Sequence, residues 1–131
     1  MTATSAIDAR LQSQSGSALG VFRILVGLLF LMHPTMKLFG WPSGPPAEFG
    51  AWPMWWAGVI EIVLGILIVV GLFTRVAAFV AAGVMAVAYF WMHLPEGFWP
   101  VLNGGETAAL FCFAFLYFVF AGPGALAVSR R

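Results

Sequence analysis

Four long apolar stretches alternate with short polar breaks along this chain. They occupy positions 19–39, 54–73, 76–93 and 104–121, each close to the ~20 residues that a helix needs to cross ~30 Å of hydrocarbon. The breaks are made of helix-terminating residues. WPSGPPAEFGAWP follows the first stretch, and its prolines forbid a continuing helix. Only Thr74 and Arg75 separate the second and third stretches, which predicts a tight antiparallel hairpin. LPEGFWPVLNG joins the third to the fourth, and Gly-Pro-Gly at 122–124 ends the last. The pattern predicts an all-α fold, a four-helix transmembrane bundle over residues 19–124. A polar tail (1–18) precedes it and a basic tail (125–131) follows. The first tail carries Asp8 and Arg10 and reads as a disordered or interfacial segment. It does not read as a signal peptide, because the apolar run after it is too long for an h-region and lacks a small-residue cleavage site.

Composition supports a membrane setting. Hydrophobic residues make up 62% of the chain and charged residues 8%, against roughly half and a quarter in soluble domains. Six Lys/Arg and five Asp/Glu cannot cover the surface of a globule of 131 residues. A net charge of +1 argues against nucleic-acid binding, which requires a basic stripe. The single cysteine, Cys112, rules out an internal disulfide or a CxxC redox pair. Charge placement also predicts orientation. Arg10, Arg75, Arg130 and Arg131 fall on one side of a four-span topology, with Arg23 a turn inside it, whereas Glu48 and Glu96 fall on the other. The positive-inside rule then puts both termini in the cytoplasm of a bacterial cytoplasmic membrane. Trp41, Trp52, Trp55, Trp56, Trp91 and Trp99 all lie at the opposite, outer end. They form either an aromatic collar around a mouth or plain interfacial anchors.

Against this background Glu61 stands out, since a carboxyl inside an apolar span costs several kcal/mol unless it is paired, neutral or facing a wet cavity. Counting ~1.5 Å per residue puts it roughly 10 Å in from the outer end of its helix, and His33 at a similar depth in the first. Lys37 lies one turn above His33. Tyr89 and His93 share a stripe near the end of the third helix with Ala78, Ala82 and Met85, and Asn103 and Glu106 open the fourth. One outer-leaflet pocket fed by all four helices is the economical reading. Gly58 and Gly65 flank Glu61 on one face, which favours close helix approach. Pro34 is expected to kink the first helix beside His33 and free the carbonyl of Phe30. In this pocket Glu61, His33 and His93 are the proton-handling, catalytic candidates. Lys37, Tyr89, Asn103, Glu106 and Trp56 are the ligand-binding candidates. Each has a plain alternative: Lys37 as a snorkelling chain, His93 and Glu106 as interfacial caps, His33 as a packing residue. No Glu-x-x-His pair occurs and the ligating types come one per helix, so no metal is expected. Arg23 reads as a snorkelling or carbonyl-capping residue, and the phenylalanines 111, 113, 115, 118 and 120 as lipid-facing or packing.

The order of motifs resembles the DoxX-like (DoxX/DoxD) family of small integral membrane proteins. The resemblance runs from Arg23 and Gly27 through HPTMKLFG (33–40) and GVIEIVLGILIVVGLFTRVAA (58–78) to AYFWMHLPEGFWPVLNGGETAAL (88–110) and the closing GPG. Past that point the chain departs from the family pattern, with residues 125–131 in place of a serine and an acidic residue. The resemblance implies a four-helix membrane subunit tied to respiratory redox chemistry, with quinone or quinol as ligand beside a catalytic partner. Without a haem-ligand pair, flavin motif or cysteine cluster, electrons would come from that partner. Two other classes compete: a small-molecule or lipid-binding transport protein, and a non-catalytic assembly or anchor subunit. Lipid and a homo-oligomer or membrane redox complex are the expected partners, because four Gly- and Ala-rich helices bury little volume per chain.

Overall fold

The computed structural model describes residues 2–129, and the basic pair Arg130 and Arg131 lies outside them. All regular structure among the described residues is helical. The order is α1 (Ala3–Gln12), α2 (Ser15–Phe39), α3 (Met54–Val70), α4 (Thr74–Ala88), α5 (Pro100–Asn103) and α6 (Glu106–Ala121). α4 runs on through a π-helical turn at Tyr89–His93 and a 3-10 turn at Leu94–Glu96. The N-terminal tail is therefore helical where disorder was one expectation. Thr2 caps α1 by accepting from the Ser5 amide at 3.2 Å, and no α1 residue is buried.

α2 spans 25 residues, ~37 Å at the standard rise. It incorporates buried Pro34 and continues one further turn to Gly40, whose left-handed backbone stops it. α2 and the segment Thr74–Glu96 are each long and apolar enough to cross a membrane, while α3 and α6 are apolar but shorter. The hairpin differs from the expectation at its tip. Gly71 takes φ +75°, ends α3 three residues early, and leaves Gly71–Phe73 as the turn. Thr74 and Arg75 open α4 instead of forming the loop.

α3 packs mainly on α2, and α4 on α6; the α3–α4 hairpin joins the two pairs. Close approach in the first pair depends on glycine. A Cβ on Gly65 would come within 2.7 Å of Leu31 Cγ, and one on Gly27 within 2.6 Å of Val69 Cγ2. The second pair alternates large and small: Ala77, Ala78, Ala81 and Ala82 of α4 face Phe115 and Phe118 of α6 across the core. Phe30 of α2 meets Phe115 edge-to-face, with centroids 4.9 Å apart, and ties the pairs together. Phe113 and Phe120 remain on the outside.

One end of the molecule is closed by arginine. Arg23 is fully buried and donates only to backbone carbonyls: Nε to Ile68 at 2.9 Å, Nη1 to Pro123 and to Ala125 at 3.1 Å, Nη2 to Val69 at 3.4 Å and Leu126 at 2.7 Å. The last four carbonyls of a helix lack intrahelical donors, and here each has one. Gly71 and Leu72 amides serve Leu67, Arg23 serves Ile68 and Val69, and the Val128 amide serves Val70. Residues 123–129, which include the described part of the tail read from sequence at 125–131, are thus packed back against α2 and α3. Arg75 performs the same service for α6, donating to Val119 and Phe120 at 2.8 Å.

Candidate ligand cavity at the tryptophan-rich end

At the opposite end the helices part around a cavity of about 770 Å³, within the range of small-molecule sites. Its walls come from the last turns of α2, the first two turns of α3, the second half of α4 with its π-turn, and the start of α6. Aliphatic residues and the rings of Trp52, Trp91 and Phe111 make up most of the surface. Into it come four ionisable side chains, His33, Lys37, Glu61 and His93.

Glu61 is fully buried. Its Oε1 accepts from Lys37 Nζ in the one ion pair found among the described residues, and Lys37 keeps about a quarter of its side chain exposed. Oε2 is buried with no hydrogen-bond partner. Helix packing creates this arrangement: a Cβ on Gly58 would sit 3.2 Å from Lys37 Cβ, so the bare glycine lets α2 close over the carboxyl one turn away. His33 stands edge-on to Phe111, centroids 5.6 Å apart, and within electrostatic reach of both Glu61 and Lys37.

His93 is positioned by the π-turn. A π-turn widens the backbone by one residue and recurs at functional positions in helices. His93 Nδ1 lies 3.3 Å from the Asn103 carbonyl oxygen. A carbonyl can only accept, so Nδ1 is the donor in this contact. Asn103 is itself buried and organises the loop: Nδ2 donates to Gly97 O at 2.9 Å and to Tyr89 Oη at 3.2 Å, and Oδ1 accepts from the Gly105 amide at 2.8 Å. Gly105 is required there, since a Cβ would approach His93 Cβ to 2.7 Å.

Of the eight residues singled out from sequence, His33, Lys37, Glu61 and His93 line the cavity. Tyr89 and Asn103 do not; their polar groups are engaged with each other and with loop carbonyls. Glu106 lies exposed in the first turn of α6, and Trp56 donates Nε1 to Gly50 O at 3.0 Å, away from the cavity. Trp52 and Trp91, named from sequence only as part of a six-tryptophan collar, border the cavity, as do Phe111, read as lipid-facing or packing, and Gly83, which sequence reasoning missed. Position within a tryptophan-rich stretch does not tell which indole borders a cavity, and Gly83 is one small residue in an alanine-rich helix. No three His, Cys, Asp or Glu side chains among the described residues gather as a metal site would require.

Outward-facing apolar helices and a largely apolar cavity edged by paired charges point to the class of helical membrane proteins, with a ligand-sized site. The DoxX family model matches residues 18–94, and the chain belongs to that family. It is 44% identical over 119 residues to an uncharacterized protein of Haemophilus influenzae, covering 86% of this chain and 89% of that one. It is 30% identical over 126 residues to a protein of Mycobacterium tuberculosis named as an uncharacterized membrane protein, covering 83% and 77%. No solved structure matches it significantly.

Proposed function

We propose that the chain is a four-span bundle of the bacterial cytoplasmic membrane, with both termini cytoplasmic, that binds quinone or quinol in its outer-leaflet cavity beside a catalytic redox partner. The cavity is the observation that carries this reading. Most of its exposed lining residues are apolar, among them Ile60 on α3 and Val80 and Val87 on α4, which supports an opening on a side that would face lipid. A ligand dissolved in the bilayer would enter there without crossing water. Rings bordering it from Trp52, Trp91 and Phe111 suit a flat apolar head group, and His33, Lys37, Glu61 and His93 suit its oxygens. Arg10 and Arg75 belong to the end away from the cavity and Glu48 and Glu96 to the cavity end, which supports cytoplasmic termini by the positive-inside rule. The partner would supply or take the electrons, and the outward apolar faces would meet lipid or a second copy.

The test uses the cavity's own tryptophans. A short-chain benzoquinone/hydroquinone couple is titrated against the purified protein in detergent while intrinsic fluorescence is followed. Saturable quenching is expected. Gly83 lies at the cavity mouth, and a Cβ there would meet nothing within 4 Å. Gly83→Phe should therefore fill the mouth without strain, weaken binding roughly tenfold or more, and leave thermal stability intact. Quenching that never saturates, or that ignores a well-folded Gly83→Phe, would discard the proposal.

A further inference from the structure

A second, smaller space of about 310 Å³ adjoins the cavity and shares three lining residues with it, His33, Lys37 and Met54. Its remaining walls are Met36 in the last turn of α2 and Pro45, Pro46 and Ala47 in the loop that follows. This loop is held in place over the helix end. A Cβ on Gly40 would come within 2.6 Å of the Gly44 carbonyl oxygen, so the chain turns back sharply, and the Ala47 amide donates to the Lys37 carbonyl at 2.7 Å. Ser43 and Glu48 flank the two prolines, and all four are exposed. The smaller space therefore opens beneath a loop with polar groups, and not through the aliphatic wall of Ile60, Val80 and Val87. Lys37 needs water there. An ammonium carries three donors. Glu61 takes one, Lys37 Nζ has no other acceptor among the described residues, and about a quarter of the side chain stays exposed.

We propose, resting on the outward placement of the quinone-class site above, that the smaller space is its aqueous entrance, admitting water and small hydrophilic solutes from the outer face as far as His33 and Lys37. The site then has two openings with separate traffic. An apolar ligand passes the wall between α3 and α4, and water passes the end of α2. Such a ligand exchanges protons as well as electrons, and a mouth that faces lipid offers it no water. His33 sits where the two spaces meet, with Lys37 on its own helix and Glu61 on α3 within electrostatic reach and the Phe111 ring of α6 against its edge.

The test asks by which route a hydrophilic reagent reaches position 33. His33→Cys is made in a Cys112→Ser background and treated on intact cells with sulfonatoethyl methanethiosulfonate, a small reagent that does not cross membranes. Two plugs separate the routes. Met36→Trp narrows the smaller space alone, since Met36 does not line the cavity, and Gly83→Phe narrows the lipid-facing mouth alone. His33→Cys should be labelled, at least ~tenfold more slowly with Met36→Trp added and at an unchanged rate with Gly83→Phe added, because a thiol reacts according to its exposure. No labelling while Ser43→Cys is labelled, or labelling slowed by Gly83→Phe and not by Met36→Trp, overturns the aqueous entrance and leaves the quinone-class site in place. Labelling of both His33→Cys and Ser43→Cys only after lysis overturns the outward placement, and the entrance with it. Should a variant fail to fold, deuterium exchange at the imidazole C2–H of His33, read by mass spectrometry on the native protein in lipid nanodiscs, decides alone. A rate within about tenfold of that of a histidine in an unfolded peptide is expected, and slower exchange overturns the proposal.

Discussion

Replacing Arg23 by methionine should release the C-terminal segment and loosen the α2–α3 end of the protein. The side chain is completely buried and holds five backbone carbonyls, two at the end of α3 and three in residues 123–126. Hydrogen bonds to a charged group contribute about 1.5–3 kcal/mol each. Adding five of them would overshoot, because removing the guanidinium also relieves its own desolvation. Buried carbonyls left without donors cost about 1–3 kcal/mol each, so after that offset a net loss on the order of 3–5 kcal/mol is expected. For a chain of this length that corresponds to a drop of ~10 °C or more in the melting midpoint. Cys112 supplies the assay, being the one cysteine and half-buried in α6. A thiol-reactive fluorogenic maleimide will report its exposure as the detergent-solubilised protein is heated. Arg23→Lys should fall between the two, since three donors on a compact ammonium cannot serve five carbonyls spread over two segments. Arg10→Met, an exposed change on α1, is the control. A melting midpoint for Arg23→Met within ~3 °C of the native protein would refute the assignment of Arg23 as the clamp.

Other outcomes follow from the same contacts. Gly65→Val should separate α2 from α3 against Leu31 and lower thermal stability by about 1–3 kcal/mol, the usual cost of overpacking, measurable by the same Cys112 assay. Asn103→Ala removes three hydrogen bonds from the loop after α4 and leaves Gly97 O and the Gly105 amide without their donor and acceptor. It should cost about 1–3 kcal/mol and speed proteolysis within residues 94–105. Orientation is read by cysteine labelling in a Cys112→Ser background: Ser43→Cys should react with a membrane-impermeant maleimide on intact cells, and Ser13→Cys only after lysis. The reverse pattern would overturn the cytoplasmic placement of the termini.

The apolar stretches and their breaks made the long helices legible, because hydrophobic length and proline or glycine punctuation act locally along the chain. Glu61 was equally visible, since a carboxyl in such a run has a cost whatever surrounds it. Helix ends were less so. The α3 terminus moved to Gly71 because one left-handed glycine outweighs the apolar residues after it, and the tail at 123–129 packs because Arg23, a hundred residues earlier, needs its carbonyls.

By itself the sequence determined the helical class, the family, and a polar group on each of several helices, all properties of composition and local order. Only the tertiary structure decided which of these groups meet. It placed His33, Lys37, Glu61 and His93 on one cavity and engaged Tyr89 and Asn103 in holding a loop. It also paired Oε1 of Glu61 with Lys37 and left Oε2 without a partner. The reason is physical: spacing along one helix fixes the face on which a side chain lies, but its partner is set by glycine-mediated approach of another helix. In this protein that approach, at Gly58 and Gly65, brings a lysine from α2 onto one oxygen of the carboxylate and not the other.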